Sequence, residues 1–335
     1  MVLTSINSVA YTLEEEAKKL TFLEKIRNRL YSDYYIRKKS GGKREINKYL
    51  YLAKHPLDFR PEDQQLYKAS KDLRIIHTKI NNRIFKKLRF PDVVHGFLPE
   101  RSTITAAKQH VKKNWVISFD IHNFFPSVKS DYVYDSLVNY YGFGKEAAWL
   151  IARLVAYKSG LPQGAVTSPM ASNVAFAPID ERINELCKQY GITYTRYADD
   201  LTFSFNNESN KDIVLNEIAK IIEEAGYKLN HRKTKVYGPE NIHYVLGFVV
   251  NNKVNVFQEK RRRLEAAIHN FVVKKEIPQE YANNPMKYKR VLMGKANYIL
   301  NANPDLRRLA NKKELLRQFD PNKHQFKSVV IHNSL

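Results

Sequence analysis

Apolar residues recur along the chain in two alternating rhythms. Leu66, Leu73, Ile76, Ile80 and Ile84 fall on one helical stripe and predict a helix over 62–89, ended by Pro91. Leu20, Leu23, Ile26 and Leu30 share that period, which predicts a helical segment within residues 1–33 with Thr12 as N-cap ahead of Glu15. Between the two helices, Tyr34–Lys39 and Lys43–Ile46 flank Ser40-Gly41-Gly42, a hairpin signal. A short helix is expected from Ser102 and Thr103 to about Lys113. Trp115–Phe119 then reads as an apolar strand ending in Asp120, with Pro126 as its stop. One or two helices over 130–158 break near Gly142 and Gly144. The run from Ser159 to Pro169 is a loop by its turn residues, and a helix follows to about Tyr190. Ile192–Phe205 has strand composition on both sides of Asp199-Asp200. An amphipathic helix over 209–225, capped by Gly226, leads into short strands near 227–229, 234–236 and 244–250. From Gln258 onward the pattern is helical and basic, which puts a domain boundary near 257.

Two carboxylates in the middle of a strand-like run need an explanation. An Asx turn between hairpin arms is one. Adjacent acidic groups at a hairpin tip also repel each other unless a cation lies between them, and hard oxygen ligands suit Mg²⁺. Asp120 stands in the same setting, at the exit of an apolar strand. Adjacent tips of one sheet would bring Asp120 and Asp199 to one side. That layout serves two cations roughly 3.5–4 Å apart acting on a phosphoryl displacement.

Charge narrows the class further. With 56 Lys and Arg against 34 Asp and Glu, the net charge is +22, and 12% of residues are aromatic, which favours a nucleic-acid partner. Basic residues concentrate over 34–90 and again after 258. No run of eighteen apolar residues suggests a membrane span, and the N-terminus lacks a secretory pattern. Cys187 is the only cysteine, so disulfides and cysteine-based zinc sites are out, and a cytoplasmic setting is expected.

Taken together, Phe119-Asp120 with Phe124-Phe125-Pro126-Ser127, Leu161-Pro162-Gln163-Gly164-Ala165 through Ser168-Pro169, and Thr195-Arg196-Tyr197-Ala198-Asp199-Asp200-Leu201-Thr202 resemble the motifs of bacterial retron-type reverse transcriptases. Asn230, Lys233 and Thr234 are similar to the family's next motif, and Leu246-Gly247-Phe248 to its primer-grip turn. The resemblance implies an α+β right-hand polymerase: fingers and palm over 34–257, the palm an antiparallel sheet with helices, a helical RNA-binding thumb over 258–335, and an N-terminal helical extension over 1–33. It implies RNA-directed DNA synthesis from a structured non-coding RNA template and primer, giving nascent DNA from dNTPs, in retron-type phage defence with a toxin or effector protein as a possible partner. Template-free or protein-primed synthesis, or a group II intron-like enzyme, is the alternative.

The roles implied for single residues follow the same motifs. Asp120, Asp199 and Asp200 would be catalytic and would hold two Mg²⁺ ions, with Mn²⁺ a possible substitute and the Ile121 carbonyl a further ligand. Arg44 with Lys38 or Lys39 and Lys43 would grip the triphosphate. Gln163 and Gly164 would line the nucleotide pocket. Phe125 would block a ribose 2′-hydroxyl, although a core aromatic is its plainer reading. Lys233 would donate a proton to pyrophosphate, with a solvated lysine as the alternative. Leu246 and Gly247 would form the primer grip, and Arg261, Arg262 and Arg263 would contact nucleic acid. Two stretches depart from the retron pattern: Ala106-Ala107-Lys108-Gln109-His110 lacks an Asn, and Val245-Leu246-Gly247 is closer to group II intron enzymes.

Overall fold

The computed structural model describes residues 52–59, 65–69, 71–157 and 160–329. The expected N-terminal helix and the Lys38–Arg44 hairpin lie outside the described residues. In chain order, β1 (Leu52–Phe59) and β2 (Gln65–Ala69) form an antiparallel pair. Next come α1 (Lys71–Arg83), α2 (Thr103–Gln109) and β3 (Trp115–Asp120). A single helical turn at Phe124–Ser127 is followed by α3 (Ser130–Asp135), α4 (Lys145–Val155) and the long α5 (Ser168–Gln189). The hairpin of β4 (Thr193–Tyr197) and β5 (Asp200–Phe205) precedes helical residues ending in α6 (Ala219–Glu224). Then follow β6 (Lys235–Tyr237), the tight pair β7 (Tyr244–Val245) and β8 (Phe248–Val249), α7 (Gln258–His269), β9 (Glu276–Pro278), α8 (Pro285–Ala302), α9 (Arg307–Gln318) and β10 (Lys327–Val329). The mixture of helices with antiparallel hairpins is the expected α+β class.

The expected helix over 62–89 is shorter than its apolar stripe. Residues 65–69 pair with β1 as a strand, and the helix proper begins at Lys71. Pro126 does not end the β3 strand either. The strand stops at Asp120, and Pro126 sits inside the helical turn that follows.

The described residues divide into two compact units. One contains the described chain up to Ser102 together with Ile117–Lys235, and the other Thr103–Val116 with the described chain from Val236. The first unit is organised by the β4–β5 hairpin, with the end of β3 beside β5. Along β5 every residue after Asp200 is buried. Aromatic rings fill the interior: Tyr194 stacks on Phe203 at 4.8 Å, and Phe119 meets Phe203 edge-on at 5.6 Å. In α5, Pro178 has no N–H for the carbonyl of Val174, and Ser136 Oγ donates to that oxygen instead at 2.5 Å.

The second unit has its own apolar core. Phe248, Leu264, Phe271, Leu292, Ala296, Leu309 and Leu316 pack together in it, drawn from β8, α7, α8 and α9 and the turn after α7. β9 and β10 join in parallel beside it, a pairing that the helical pattern of the tail does not foretell.

Candidate active site

The site begins with a turn. Tyr197 pairs with Asp200 across the hairpin, so Ala198 and Asp199 form its tip, with Ala198 at φ +57°. A left-handed alanine costs roughly 1–2 kcal/mol, and the surroundings hold it there. Ile121 N donates to Asp199 O at 3.2 Å, tying the exit of β3 to the tip. Arg196 Nη1 donates to Ala198 O at 3.1 Å from behind. Gly96 packs so closely that a Cβ there would lie 2.7 Å from Ala198 N, so only glycine fits.

The carboxylates therefore share one end of the sheet. Asn230 N donates to Asp120 O at 2.8 Å, and the turn after it brings Lys233 Nζ to 3.3 Å from both Asp120 carboxylate oxygens. Burial, then the charges of Asp199 and Asp120, push the Asp200 carboxyl up to about 6, against the pull of Lys233 and Lys235. Burial also raises Asp199; the Asp120 charge adds to this, while its own backbone N–H and Lys233 oppose it. These acids lack sufficient positive charge of their own.

Among the described residues no three acidic, histidine or cysteine side chains are drawn close enough to hold a metal by themselves. Mg²⁺ rarely requires that. It binds through one or two carboxylates and completes its shell with water and substrate phosphates. Hard oxygens short of counter-charge fit such a cation.

The other expected residues distribute as follows. Phe125 is half-buried beside the site and stands 5.7 Å from the buried Phe124 ring. Leu161 N donates to Phe125 O at 3.0 Å, which fastens the loop carrying Gln163 and Gly164 to the gate candidate. Lys38, Lys43 and Arg44 lie outside the described residues. In the second unit, Leu246 and Gly247 form the β7–β8 turn, with φ of +49° and +85°. Arg261 lies 3.8 Å from Glu265 within α7, Arg263 pairs with Glu259 in the same helix, and Arg262 is exposed.

Sequence reasoning missed what stands behind the turn. Arg196 Nη2 lies 2.6 Å from Asp180 Oδ2, with both side chains fully enclosed. Tyr194 donates to Asp180 Oδ1 at 2.7 Å, and burial together with the Asp180 charge keeps its hydroxyl protonated. Arg196 Nη1 also donates to Asn173 Oδ1 at 3.1 Å, while Asn173 Nδ2 donates to Gly96 O at 2.8 Å. The visible signal was an aspartate on the apolar side of α5 and an arginine in a buried strand, though nothing in the sequence paired them.

Residues 64–250 match the model of the family "Reverse transcriptase (RNA-dependent DNA polymerase)". The chain belongs to this family. This reverse transcriptase chain is 30% identical over 268 residues to the retron Mx65 reverse transcriptase of Myxococcus xanthus, covering 74% of the present chain and 61% of that protein. It is 28% identical over 224 residues to the retron Ec86 reverse transcriptase of Escherichia coli, covering 67% and 70% respectively. Among solved structures, telomerase from Candida albicans in complex with a telomeric RNA fragment aligns at TM-score 0.42 and 11% identity, over 75% of this chain and 53% of that one. No helix among the described residues is long and apolar enough to cross a membrane.

Proposed function

We propose that the chain is an RNA-directed DNA polymerase of retron type, copying a bound structured RNA into DNA by nucleotidyl transfer. The observation that carries this reading is the hydrogen bond from Ile121 N to Asp199 O, which joins the Asp120 strand to the Asp199–Asp200 turn. The curated retron enzymes among its relatives support it over template-free synthesis.

Asp120, Asp199 and Asp200, with the Ile121 carbonyl, would hold divalent cations, Mg²⁺ by preference and Mn²⁺ as substitute. Bound there, such ions supply Lewis acidity to the primer 3′-hydroxyl and to the leaving pyrophosphate. The protein does the rest by position. Lys38, Lys43 and Arg44 neutralise the triphosphate. Gln163 and Gly164 border the incoming base and sugar, and the Phe125 ring excludes a 2′-hydroxyl. Lys233, held at Asp120, would donate a proton to the departing pyrophosphate. The Leu246–Gly247 turn grips the primer. Arg261, Arg262 and Arg263 at the head of the thumb neutralise backbone phosphates, so binding weakens steeply with salt. Fingers and palm over 34–257 and thumb over 258–335 divide these tasks, and an effector protein partner in phage defence extends the same reading.

The test is dNTP incorporation on an RNA template by the wild-type chain and by Asp199→Asn. The expected loss is about a thousandfold, roughly 4 kcal/mol of barrier. Incorporation that survives the substitution refutes the polymerase reading. Sequencing of copurifying nucleic acid should return DNA complementary to a structured RNA; DNA without an RNA complement refutes the retron part.

A further inference from the structure

Phe97 has a backbone that its residue type disfavours. Its φ is +65°, and its large apolar ring is 38% exposed. An aromatic residue at positive φ is an outlier that only a well-determined surrounding sustains. That surrounding is the bracket behind the catalytic turn. Asn173 holds Gly96 O at 2.8 Å, Arg196 holds Asn173 and Ala198 O at 3.1 Å each, and His95 N donates to Arg196 O at 2.8 Å. One guanidinium thus registers the Phe97 loop against the Asp199 turn.

The ring itself lies against two others. Its centroid is 6.4 Å from Phe125 and 6.1 Å from Tyr197. Phe125 also meets Phe124, which is buried and reaches Phe176 at 6.0 Å. Phe125 therefore has one ring neighbour anchored in the core, and Phe97, from a separate segment, is the other. A half-exposed phenyl ring without a neighbour changes rotamer in picoseconds to nanoseconds. A displacement of about 1 Å is enough to alter a reacting geometry.

We propose that Phe97 is a positioning residue for sugar discrimination: its ring closes the open side of Phe125 and keeps that ring against the 2′ position of the incoming nucleotide. This rests on the reading of Phe125 as the sugar gate. Selectivity between dNTP and NTP is a difference in transition-state energy, so a gate that yields loses selectivity without losing the chemistry.

The experiment measures kcat/KM for a dNTP and the matching NTP on an RNA template with a DNA primer, using the full chain. The variants are Phe97→Ala, Phe97→Leu, Phe97→Tyr and Phe125→Ala. Phe125→Ala should lower the dNTP:NTP ratio by about a hundredfold and Phe97→Ala by about tenfold, chiefly by raising kcat/KM for the NTP. Phe97→Leu should fall between Phe97→Ala and wild type, and Phe97→Tyr, which keeps the ring, should hold the wild-type ratio. If Phe125→Ala loses selectivity while Phe97→Ala keeps it within about twofold of wild type, the role of Phe97 is refuted and the gate stands. Equal loss of kcat/KM for both nucleotides in Phe97→Ala also refutes it, because the ring would then be supporting template or primer. If Phe125→Ala itself keeps selectivity, the gate reading fails and this inference fails with it.

Discussion

The two sides of the β4–β5 turn hold their charges in opposite ways. Behind it, Asp180 and Arg196 are fully enclosed and 2.6 Å apart, and Tyr194, Asn173 and the Ala198 carbonyl complete their hydrogen bonding. In front, Lys233 meets Asp120 at 3.3 Å with the lysine side chain 64% exposed, while burial and neighbouring acidic charge raise the Asp199 and Asp200 carboxyls. Charge that the protein satisfies completely shapes the chain. Charge that it leaves under-compensated is available to a ligand.

The sharpest way to break this contrast is Asp180→Asn. It strands a buried guanidinium and should cost about 3–5 kcal/mol in denaturant unfolding. A cost under about 1 kcal/mol would mean that the rear pair is not locked. Gly96→Ala comes next: the added methyl meets Ala198 N at 2.7 Å, a backbone atom that cannot rotate away. About 1–3 kcal/mol of stability should go, with a matching shift in the denaturant midpoint.

The front predicts the reverse sign. With the Asp200 carboxyl at about 6 in the folded chain, above its ordinary 3.8, its contribution favours folding at low pH and is lost as pH rises through 6. Asp200→Asn should therefore raise Tm in metal-free buffer at pH 7.5, and the gain should vanish near pH 4. A loss of Tm at pH 7.5 would refute the repulsion. A comparable effect of opposite sign belongs to His95, which burial and then the Arg101 charge lower from 6.5 to about 4. Its contribution is present above 6.5 and lost as pH falls toward 4, so His95→Gln should flatten that part of the acid unfolding curve.

What the sequence disclosed follows range of interaction. Asp120 and the Asp199–Asp200 pair were legible because each interrupts an apolar strand pattern, a signal contained within a few residues. The helix from Ser168 to Gln189 was equally plain, with a proline in its first turn. Gln65–Ala69 misled because Leu66 falls on the stripe of Leu73 and Ile80, whereas its strand state comes from pairing with Leu52–Phe59. The bracket of Asp180, Asn173 and Arg196 joins residues 16 and 23 positions apart across a helix and a strand, and no periodicity encodes such a partnership. The contact of Phe97 with Phe125 joins two separate segments, and no local pattern encodes it either.

Gly160 sits where a side chain would collide with Pro126 O, at 2.3 Å, one residue before Leu161 bonds to Phe125 O. The strip bearing Gln163 and the strip bearing Phe125 thus ride on each other with no spacer between them. A single methyl at 160 would act as a wedge, widening the slot for the nucleotide from a position that never meets it. The aperture is set by an atom the chain leaves out.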